Sequence, residues 1–355
     1  PAKFEEPILV TRPLLPSLEN LQRKLTEVWD SRWLTNHGRQ HALLEERLTR
    51  FLDVRELSLF NNGTVALMVA CRALGLSGEV ITTPFTFAAT PHVLTWCGIT
   101  PVFSDIDPVT LNLDPGKLEH LITPATTAIM PVHVFGIPCD VAGIKAVADR
   151  YGLKVVYDAA HACGVELNDE GIGNFGDISM FSFHATKLFH TGEGGALTCA
   201  DPKLKIQFDL LRNFGIKNEE EVLLPGINGK MNEIQAAVGL LVLDDLPEEH
   251  AKRGTLIAAY REALKGTPGI TCSAELPNVK SNNQYFVIRI DAERFGCSRD
   301  AVYEELKKYN VYTRKYFYPL CSQFSCYGNL PSASRENLPV ATRVAEEVLS
   351  LPLYG

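Results

Sequence analysis

The sequence predicts an α/β fold with a mostly parallel sheet in a large domain, followed by a small α+β domain. Three observations support this prediction. The chain has 355 residues, a length typical of two domains. From residue 56 short apolar runs alternate with helical patterns, which is typical of a parallel sheet covered by helices on both faces. Past about residue 245 this alternation stops. We therefore predict domains 1–245 and 246–355, with the boundary in the acidic stretch LDDLPEEH.

Two amphipathic helices open the chain. Leu18, Leu21, Leu25 and Val28 share one helical face, and Ser17 can cap that helix. The segment SRWLTNHG interrupts the pattern. A second helix follows, with its apolar face at Leu43, Leu44, Leu48, Phe51 and Leu52.

The large domain is predicted to consist of alternating strands and helices. The predicted strands are ELSLF, EVITTPF, TPVFSDID, TTAIMPVHVFG, LKVVYD, ISMFSF and GALTC. Between them lie helices over VALMVACRALGL, over a small-residue stretch after EVITTPF, and from Asp140 onward. The predicted small domain holds a long helix with Ala251, Leu256 and Tyr260, the strands GITC and NQYFVIRI, a helix capped by Ser298, the segment VYTRKYF and a C-terminal helix.

Composition and charge exclude several classes of function. Lys and Arg number 34 against 42 Asp and Glu, and a net charge of −8 does not suit binding to nucleic acid or to an anionic membrane. The nine cysteines are scattered without a CxxC pair, as in reduced cytosolic proteins. The uncharged stretch Val80–Ser104 contains three prolines, so we reject a membrane span. No apolar signal-peptide segment is present in PAKFEEPILVTRP, and we expect a cytoplasmic protein.

Chemistry is expected beyond the carboxyl ends of the strands, where open α/β sheets bind ligands. There, Asn61-Asn62-Gly63-Thr64 joins a strand to a helix. A glycine-containing turn at a helix N-terminus can bind phosphate through free N–H groups, although an ordinary turn has the same pattern.

Asp158 ends the strand LKVVYD, and His161 follows it closely. Three interpretations are open: a cap for the next turn, a metal site with His161 and Cys163, or a partner for a cationic ring nitrogen of a cofactor. The three donors are too crowded for an ordinary zinc site, so we predict no metal.

Lys187 directly follows the apolar strand ISMF, after Ser182. Desolvation there would lower the pKa of the lysine and make it a nucleophile for Schiff-base formation. His184 and His190 could be hydrogen-bonded polar groups, and His184 is also a candidate substrate contact. A phosphate-binding turn, an aspartate for a pyridine nitrogen and a Ser…Lys pair are together typical of a pyridoxal 5′-phosphate (PLP) enzyme.

The motifs NNGTVAL, PFTFAAT, DAAHACG, SFHATK…EGG and PGINGKMNEIQAA, in this order, resemble the DegT/DnrJ/EryC1/StrS family of sugar aminotransferases over nearly the whole chain. The resemblance implies PLP fold type I, like aspartate aminotransferase, and a homodimer with shared active sites. It also implies roles for individual residues. Lys187 matches the Schiff-base lysine, Asp158 the partner of the ring nitrogen, Phe87 the aromatic that stacks on the cofactor, Gly63, Thr64 and Ser182 phosphate contacts, and His161 the neighbour of the 3-hydroxyl.

Other positions match parts of the site further from the ring. Asn228 matches a phosphate contact given by the other subunit. Asn36 of LTN, with Tyr316 and Tyr318 of YFYPL, matches segments that line the substrate cleft. Where relatives often have histidine after PL, this chain has Cys321, which leaves the role of that position open.

The resemblance implies transfer of the amino group of L-glutamate to a nucleotide-linked keto-sugar. The expected product is dTDP-4-amino-4,6-dideoxyglucose from dTDP-4-keto-6-deoxyglucose, as in O-antigen or other polysaccharide biosynthesis. Amination at the 3-position and GDP- or UDP-linked sugars remain alternatives. A PLP-dependent sugar dehydratase is disfavoured because dehydratases that resemble this family have histidine at the position of Lys187. A non-catalytic PLP-binding regulator is disfavoured by the complete set Asp158, Ser182 and Lys187.

Overall fold

The computed structural model describes residues 2–355 and contains a seven-stranded central sheet. The strand order is β1-β9-β8-β5-β4-β2-β3, and β9 alone runs antiparallel to its neighbours. The ten α-helices of the described residues are α1 Leu18–Ser31, α2 Arg39–Phe51, α3 Gly63–Ala73, α4 Ala89–Trp96, α5 Val141–Tyr151, α6 Pro202–Leu211, α7 Glu233–Leu264, α8 Ala292–Phe295, α9 Arg299–Lys308 and α10 Pro339–Glu347. The strands are β1 Glu56–Phe60, β2 Glu79–Thr82, β3 Thr100–Phe103, β4 Thr126–Met130, β5 Lys154–Asp158, β6 Glu166–Leu167, β7 Glu170–Gly171, β8 Ile178–Ser182, β9 Gly195–Cys199, β10 Ile270–Cys272, β11 Val279–Lys280, β12 Phe286–Ile290 and β13 Val348–Leu351.

The predicted mostly parallel α/β sheet is confirmed, and the sheet is covered on both faces. One face packs against α2 and α7 through a core that includes Leu44, Phe181 and Leu240. The other packs against α3, α4 and α6 through Leu67, Val80 and other apolar side chains. Both faces of the strands are thereby removed from water, which explains why their sequences are continuously apolar instead of alternating.

The two predicted helix caps, Ser17 and Ser298, are present, and Asp140 caps the helix predicted to begin there. The Ser17 hydroxyl accepts a hydrogen bond from the Asn20 N–H at 3.2 Å and begins α1. Asp140 caps α5 by accepting from the Gly143 N–H at 2.9 Å, and Ser298 caps α9 in the same way.

The C-terminal part differs from the sequence-based prediction in one strand. Its small sheet has the order β10-β12-β13, and β13 lies in the last residues of the chain, where no strand was expected. The segment 311–317 forms only isolated bridges, such as Arg314 with Ser350. Helix α10 leads directly into Val348. The apolar residues that follow pair with β12 and form an edge strand of the small sheet.

Helix α7 is continuous over 32 residues and passes through residues 245 and 246, with Pro247 inside it. Its first half packs against the central sheet and its second half, including Ile257 and Tyr260, against the small sheet. The division of the chain at 245/246 therefore stays a prediction, and a single helix connects the two parts.

All nine cysteines are free thiols. Within residues 2–355, the helices are too short or too polar to cross a bilayer.

A buried carboxylate joins the N-terminal helices to α7. Glu233, the first residue of α7, is 3% exposed. Its two oxygens accept hydrogen bonds from the N–H groups of Gln40 at 2.7 Å and His41 at 3.1 Å. Gly38, the N-cap residue of α2, has no side chain to do this, and a Cβ there would lie 2.5 Å from the Glu233 carboxyl carbon. Glu233 thus caps α2 from another helix.

Replacement of this cap should destabilise the fold. Glu233→Ala leaves two buried N–H groups without an acceptor, and we expect the free energy of unfolding to fall by about 2–3 kcal/mol. Glu248→Ala, on the same helix, removes a carboxylate whose side chain is 78% exposed. This variant should change the free energy of unfolding by less than about 0.5 kcal/mol. Urea denaturation at one protein concentration measures both. Equal midpoints for the two variants would contradict the capping role.

Candidate active site

A pocket of about 580 Å³ opens at the carboxyl ends of the parallel strands. It brings together residues that lie far apart in the chain, including seven of the residues predicted to contact the cofactor: Gly63, Thr64, Phe87, Asp158, His161, Ser182 and Lys187. The two candidate substrate contacts His184 and Tyr316 also line it. The position follows from topology, because β1, β5 and β8 all end at this edge of the sheet.

One end of the pocket is the N-terminus of α3. Asn62 caps this helix by accepting a hydrogen bond from the Val65 N–H at 2.8 Å, while the N–H groups of Gly63 and Thr64 belong to the first turn and have no intrahelical acceptor. Ser182, at the end of β8, lies beside them. A Cβ at Gly63 would come within 3.3 Å of the Ser182 Cβ, so the glycine permits this close approach. Free N–H groups, a hydroxyl and the positive end of a helix suit a phosphate group.

The carboxylate of Asp158 is buried at the opposite end and is only 4% exposed. Its Oδ2 accepts from the Thr90 hydroxyl at 2.8 Å, and its Oδ1 accepts from the Ala160 N–H at 3.0 Å. Thr86 lies 2.9 Å from the Thr90 oxygen, and because Thr90 uses its proton toward Asp158, Thr86 donates to Thr90. Burial raises the pKa of Asp158, while Thr90, Ala160 and Lys187 oppose that rise.

Within residues 2–355, Asp158 forms no ion pair. The salt bridges elsewhere in the chain are made by other acidic side chains. A buried carboxylate with hydrogen-bond donors but without a paired cation is stabilised by a cationic group that enters the pocket.

His161 is neutral, and its tautomer follows from its contacts. The ring is 4% exposed, and burial together with the charge of Lys187 lowers its pKa well below the usual value. Its Nδ1 accepts a hydrogen bond from the Phe135 N–H at 3.2 Å. The proton therefore resides on Nε2, which makes that atom a donor. The ring is stacked in parallel with Phe317, with 5.7 Å between centroids.

Lys187 follows β8 in a turn where its N–H donates to the carbonyl of His184 at 2.8 Å. Burial lowers the pKa of the Lys187 amine to about 8, although the nearby Asp158 and Tyr316 favour the charged form. Its Nζ donates a hydrogen bond to the Tyr285 hydroxyl at 3.3 Å. Near neutral pH the neutral form of this amine is thus much more populated than that of an ordinary lysine, although the charged form still predominates at pH 7.

The turn of Lys187 is held from both sides by the side chain of Gln284. Its Oε1 accepts from the Leu188 N–H at 2.5 Å, and its Nε2 donates to the Thr186 carbonyl at 3.3 Å. Asn282 does the same for the turn of His161, since its Nδ2 donates to the carbonyls of His161 at 2.9 Å and Cys163 at 3.0 Å.

The mouth of the pocket carries partly exposed side chains. Phe87 is 63% exposed, so one face of its ring is available to a ligand. His184 Nδ1 accepts from the Thr186 N–H at 3.2 Å, and its Nε2 lies 3.7 Å from a carboxylate oxygen of Glu193. His190 lies outside the pocket lining, where Leu14 and Gly192 hydrogen-bond both of its ring nitrogens.

Three predicted residues are not part of this pocket in the single chain. Asn36 is exposed in the turn between α1 and α2, with a φ of 62°. The Tyr318 ring is 48% exposed and packs under the Arg299 guanidinium at 5.1 Å. Asn228 is exposed in a loop that bridges to Asn213. Their roles stay predictions.

Cys321 is fully buried beneath the pocket. Its thiol donates to the Thr86 carbonyl at 3.2 Å, and its N–H donates to the Pro84 carbonyl at 2.9 Å. Burial raises the pKa of this thiol to about 12, so it stays protonated. The residue holds the loop that carries Thr86 and does not reach the pocket surface.

The residues present fit PLP. The N-terminus of α3 with Ser182 suits the phosphate, the unpaired carboxylate of Asp158 suits a protonated ring nitrogen, and His161 Nε2–H is a donor for an oxygen on the ring. The amine of Lys187 suits an aldehyde. This set of donors and charges matches the chemical groups of the cofactor one by one.

Sequence reasoning missed Thr90, Gln284 and Tyr285. Thr90 stands in the quoted motif PFTFAAT, three residues after Phe87, so the helical start there could have suggested it. Gln284 and Tyr285 lie in a strand-like segment of the other part of the chain, and no local pattern connects them with Lys187.

Comparisons with known proteins show the family of the chain. Residues 17–355 match the model of the DegT/DnrJ/EryC1/StrS aminotransferase family. The chain is 48% identical to a dTDP-4-amino-4,6-dideoxy-D-glucose transaminase of Escherichia coli, over 99% of this chain and 94% of the relative, and 34% identical to GDP-perosamine synthase of Caulobacter vibrioides, over 96% and 92%. Its fold superimposes on the structure of DesI in the presence of its TDP-sugar product with a TM-score of 0.94 and 41% identity, covering 100% of this chain and 90% of DesI.

The predicted fold and family are therefore confirmed, and PLP is the cofactor of this family. A family match over all but the first 16 residues, joined to a pocket with the donors that PLP requires, identifies the protein as a PLP-dependent enzyme of the DegT/DnrJ/EryC1/StrS aminotransferase family.

Proposed function

We propose that this enzyme transfers the amino group of L-glutamate to a nucleotide-linked keto-sugar, dTDP-4-keto-6-deoxyglucose, and yields dTDP-4-amino-4,6-dideoxyglucose. The observation that carries the proposal is 48% identity over 99% of the chain to a transaminase of that name. The fold of DesI, solved with a TDP-sugar product, supports a nucleotide-sugar pocket in the same architecture. The presence of Lys187, where dehydratases similar to this family have histidine, favours amino transfer over dehydration.

PLP, when bound, supplies an aldehyde that accepts the amino group and a ring that withdraws electrons from the carbon being deprotonated. The residues of the chain prepare for that chemistry. The N–H groups of Gly63 and Thr64 and the hydroxyl of Ser182 bind the phosphate. Asp158 would hold a proton on the ring nitrogen by charge, and the Thr90 hydroxyl and the Ala160 N–H, one on each oxygen, would fix the orientation of its carboxylate.

Lys187 has two tasks in this proposal. Its unprotonated amine would hold the cofactor through the aldehyde, and when free it would accept and release a proton at the reacting carbon of the substrate. A pKa of about 8 suits both tasks, because the Lys187 amine can accept and release a proton near neutral pH. His161 keeps its proton on Nε2 throughout and orients the ring.

The substrate end of the pocket is more exposed. His184 and Tyr316 are positioned at its lining to contact glutamate or the sugar. Asn36 and Tyr318 would contact the substrate in a cleft that a second subunit completes. We propose a homodimer in which Asn228 binds the phosphate of the partner subunit's cofactor. The exposed position of Asn228 outside its own pocket is consistent with such a contact.

We also propose that the enzyme works in the cytoplasm, where its nine free thiols stay reduced.

The activity is tested with a panel of nucleotide-linked keto-sugars and L-glutamate. We expect conversion of dTDP-4-keto-6-deoxyglucose, with nitrogen at C4 of the product by NMR. Amination at C3, or turnover of GDP- or UDP-linked sugars in preference to the dTDP-linked one, would contradict the proposed substrate while leaving the aminotransferase chemistry in place.

The pKa of Lys187 predicts how apoenzyme captures PLP. Because the neutral amine is the nucleophile, the capture rate should rise with pH up to about 8 and be level above it. A lysine with the ordinary pKa of about 10.4 would continue to gain rate to higher pH. Stopped-flow absorbance gives the rate, and borohydride trapping with peptide mass spectrometry locates the label. Lys187→Ala is the control and should show no covalent label. A rate that still increases tenfold between pH 9 and pH 10 would refute the lowered pKa.

The shared site predicts complementation between inactive variants. Lys187→Ala lacks the amine, and Asn228→Trp should block the partner subunit's phosphate site by bulk. A mixed dimer of the two has one site with both changes and one site with neither, so we expect activity to reappear after subunit exchange. Mixing Lys187→Ala with Asp158→Asn, which should both act within their own site, is the matched control and should stay inactive. If exchange is confirmed by native mass spectrometry and no activity returns, Asn228 does not serve the partner subunit.

A further inference from the structure

Tyr285 stands against the reactive lysine although it lies almost a hundred positions further along the chain. Its hydroxyl oxygen accepts the hydrogen bond from Lys187 Nζ at 3.3 Å, and Nζ lies 5.8 Å from the ring centroid. The ring also meets His161 edge to face, with 5.1 Å between centroids. Tyr285 therefore contacts both Lys187 and the histidine assigned to the cofactor ring, and it lines the pocket itself.

The donor function of the Tyr285 hydroxyl is not used within the described part of the protein. A phenol offers one donor and two acceptor positions. Lys187 uses an acceptor position, and burial raises the pKa of Tyr285, so the phenol keeps its proton. Within residues 2–355 no protein group accepts that proton in a hydrogen bond, because the contact with Lys187 is the only one that the hydroxyl makes. Tyr285 is partly buried and lines the pocket, so a donor there that lacks an acceptor in the protein is available to a ligand.

The position of this hydroxyl is fixed by its neighbours. Gln284 on one side is hydrogen-bonded to the turn of Lys187. Phe286 on the other side is buried in the small sheet and stacks on Tyr260, with 5.0 Å between centroids. Phe135 meets the Tyr285 ring edge to face at 5.7 Å. A donor held this firmly loses little entropy when it binds a substrate atom.

We propose that Tyr285 is a further residue of the reaction: its hydroxyl holds Lys187 Nζ and donates its hydrogen bond to the carbonyl oxygen of the keto-sugar at the carbon that receives the amino group. This inference rests on the proposed function. The two substrates differ as they enter the site, since the reacting carbon of glutamate bears a carboxylate and a hydrogen and takes up an oxygen from water only after that hydrogen is lost, whereas that of the sugar bears the carbonyl oxygen from the start. Negative charge develops on this oxygen when nitrogen attacks the carbon, and a preorganised donor stabilises it.

The test compares two tyrosines that lose only their hydroxyl. Tyr285→Phe keeps the ring, its packing and the 5.8 Å approach of Lys187 Nζ to the ring centroid, and removes the hydrogen bond of the hydroxyl to the amine. Tyr260→Phe is the matched control, because its hydroxyl donates to the Pro352 carbonyl at 3.0 Å and its ring stacks on the residue next to Tyr285. Two readouts are needed. The first, on apoenzyme, is the pH midpoint for labelling of Lys187 by a limiting amine-acylating reagent. The second is a single-turnover rate for each substrate, measured with glutamate as loss of the hydrogen on the reacting carbon, before water adds, and with the keto-sugar as consumption of the ketone.

We expect Tyr285→Phe to lower the labelling midpoint, because the ammonium form of Lys187 loses an acceptor. We expect the sugar half-reaction to slow by about 10- to 100-fold more than the glutamate half-reaction, the range for one hydrogen bond to a charged oxygen. Tyr260→Phe should match wild type in both readouts.

The outcomes separate this inference from the proposed function. Wild-type enzyme that reacts with glutamate but with no nucleotide-linked keto-sugar would overturn the proposed function. Active wild type with an unchanged midpoint in Tyr285→Phe, or with both half-reactions slowed equally, would overturn the role of Tyr285 alone. A lowered midpoint with a selective loss of the sugar half-reaction would support it.

Discussion

The turn that carries Lys187 has the side chain of Gln284 bound to both of its ends, and the geometry of the pocket depends on that contact. Gln284 lies 96 positions after Leu188, and one carboxamide group accepts from the N–H on one side of Lys187 and donates to the carbonyl on the other. A carboxamide has a donor and an acceptor at a fixed separation. It can therefore hydrogen-bond the backbone of a turn in the way that a neighbouring strand would. Without it, two buried backbone groups beside the lysine would lack partners, at a cost of about 1–3 kcal/mol each.

The same short segment orders the other side of the pocket. Asn282 hydrogen-bonds the turn of His161, and Tyr285 contacts both Lys187 and His161. Residues 282–285 thereby connect the small sheet, through β12, with two turns at the edge of the central sheet. The distance between the lysine and the histidine is consequently set by one rigid piece of backbone and not by two independent loops. Such support from surrounding hydrogen bonds is what keeps a catalytic geometry constant.

Burial tunes the two charged groups of the site in opposite directions. It lowers the pKa of the Lys187 amine and raises that of the Asp158 carboxyl, because both lose the hydration of their charged forms. Neither forms an ion pair that would restore the ordinary value, and the hydroxyl chain from Thr86 through Thr90 only partly compensates Asp158. The Asp158 carboxylate therefore has no paired cation among the described residues, and the Lys187 amine is partly unprotonated. These are the states in which PLP can be bound at the ring nitrogen and attached at the aldehyde.

The sequence by itself determined the alternation of strands and helices, the helix caps at Ser17 and Ser298, the start of a helix at Asp140, and the order of the motifs around Gly63, Asp158 and Lys187. These features are local: a cap, an apolar run or a turn residue acts within a few positions of its own place in the chain. The resemblance to a family then supplied candidate roles for Phe87, His161 and Asn228. Only the tertiary structure decided that β13 completes the small sheet, that Glu233 caps α2 from another helix, and that Gln284 and Tyr285 reach Lys187. Each of these depends on hydrogen-bonding groups that lie far apart in sequence and meet only when the sheet and α7 have packed, so no local pattern could reveal them.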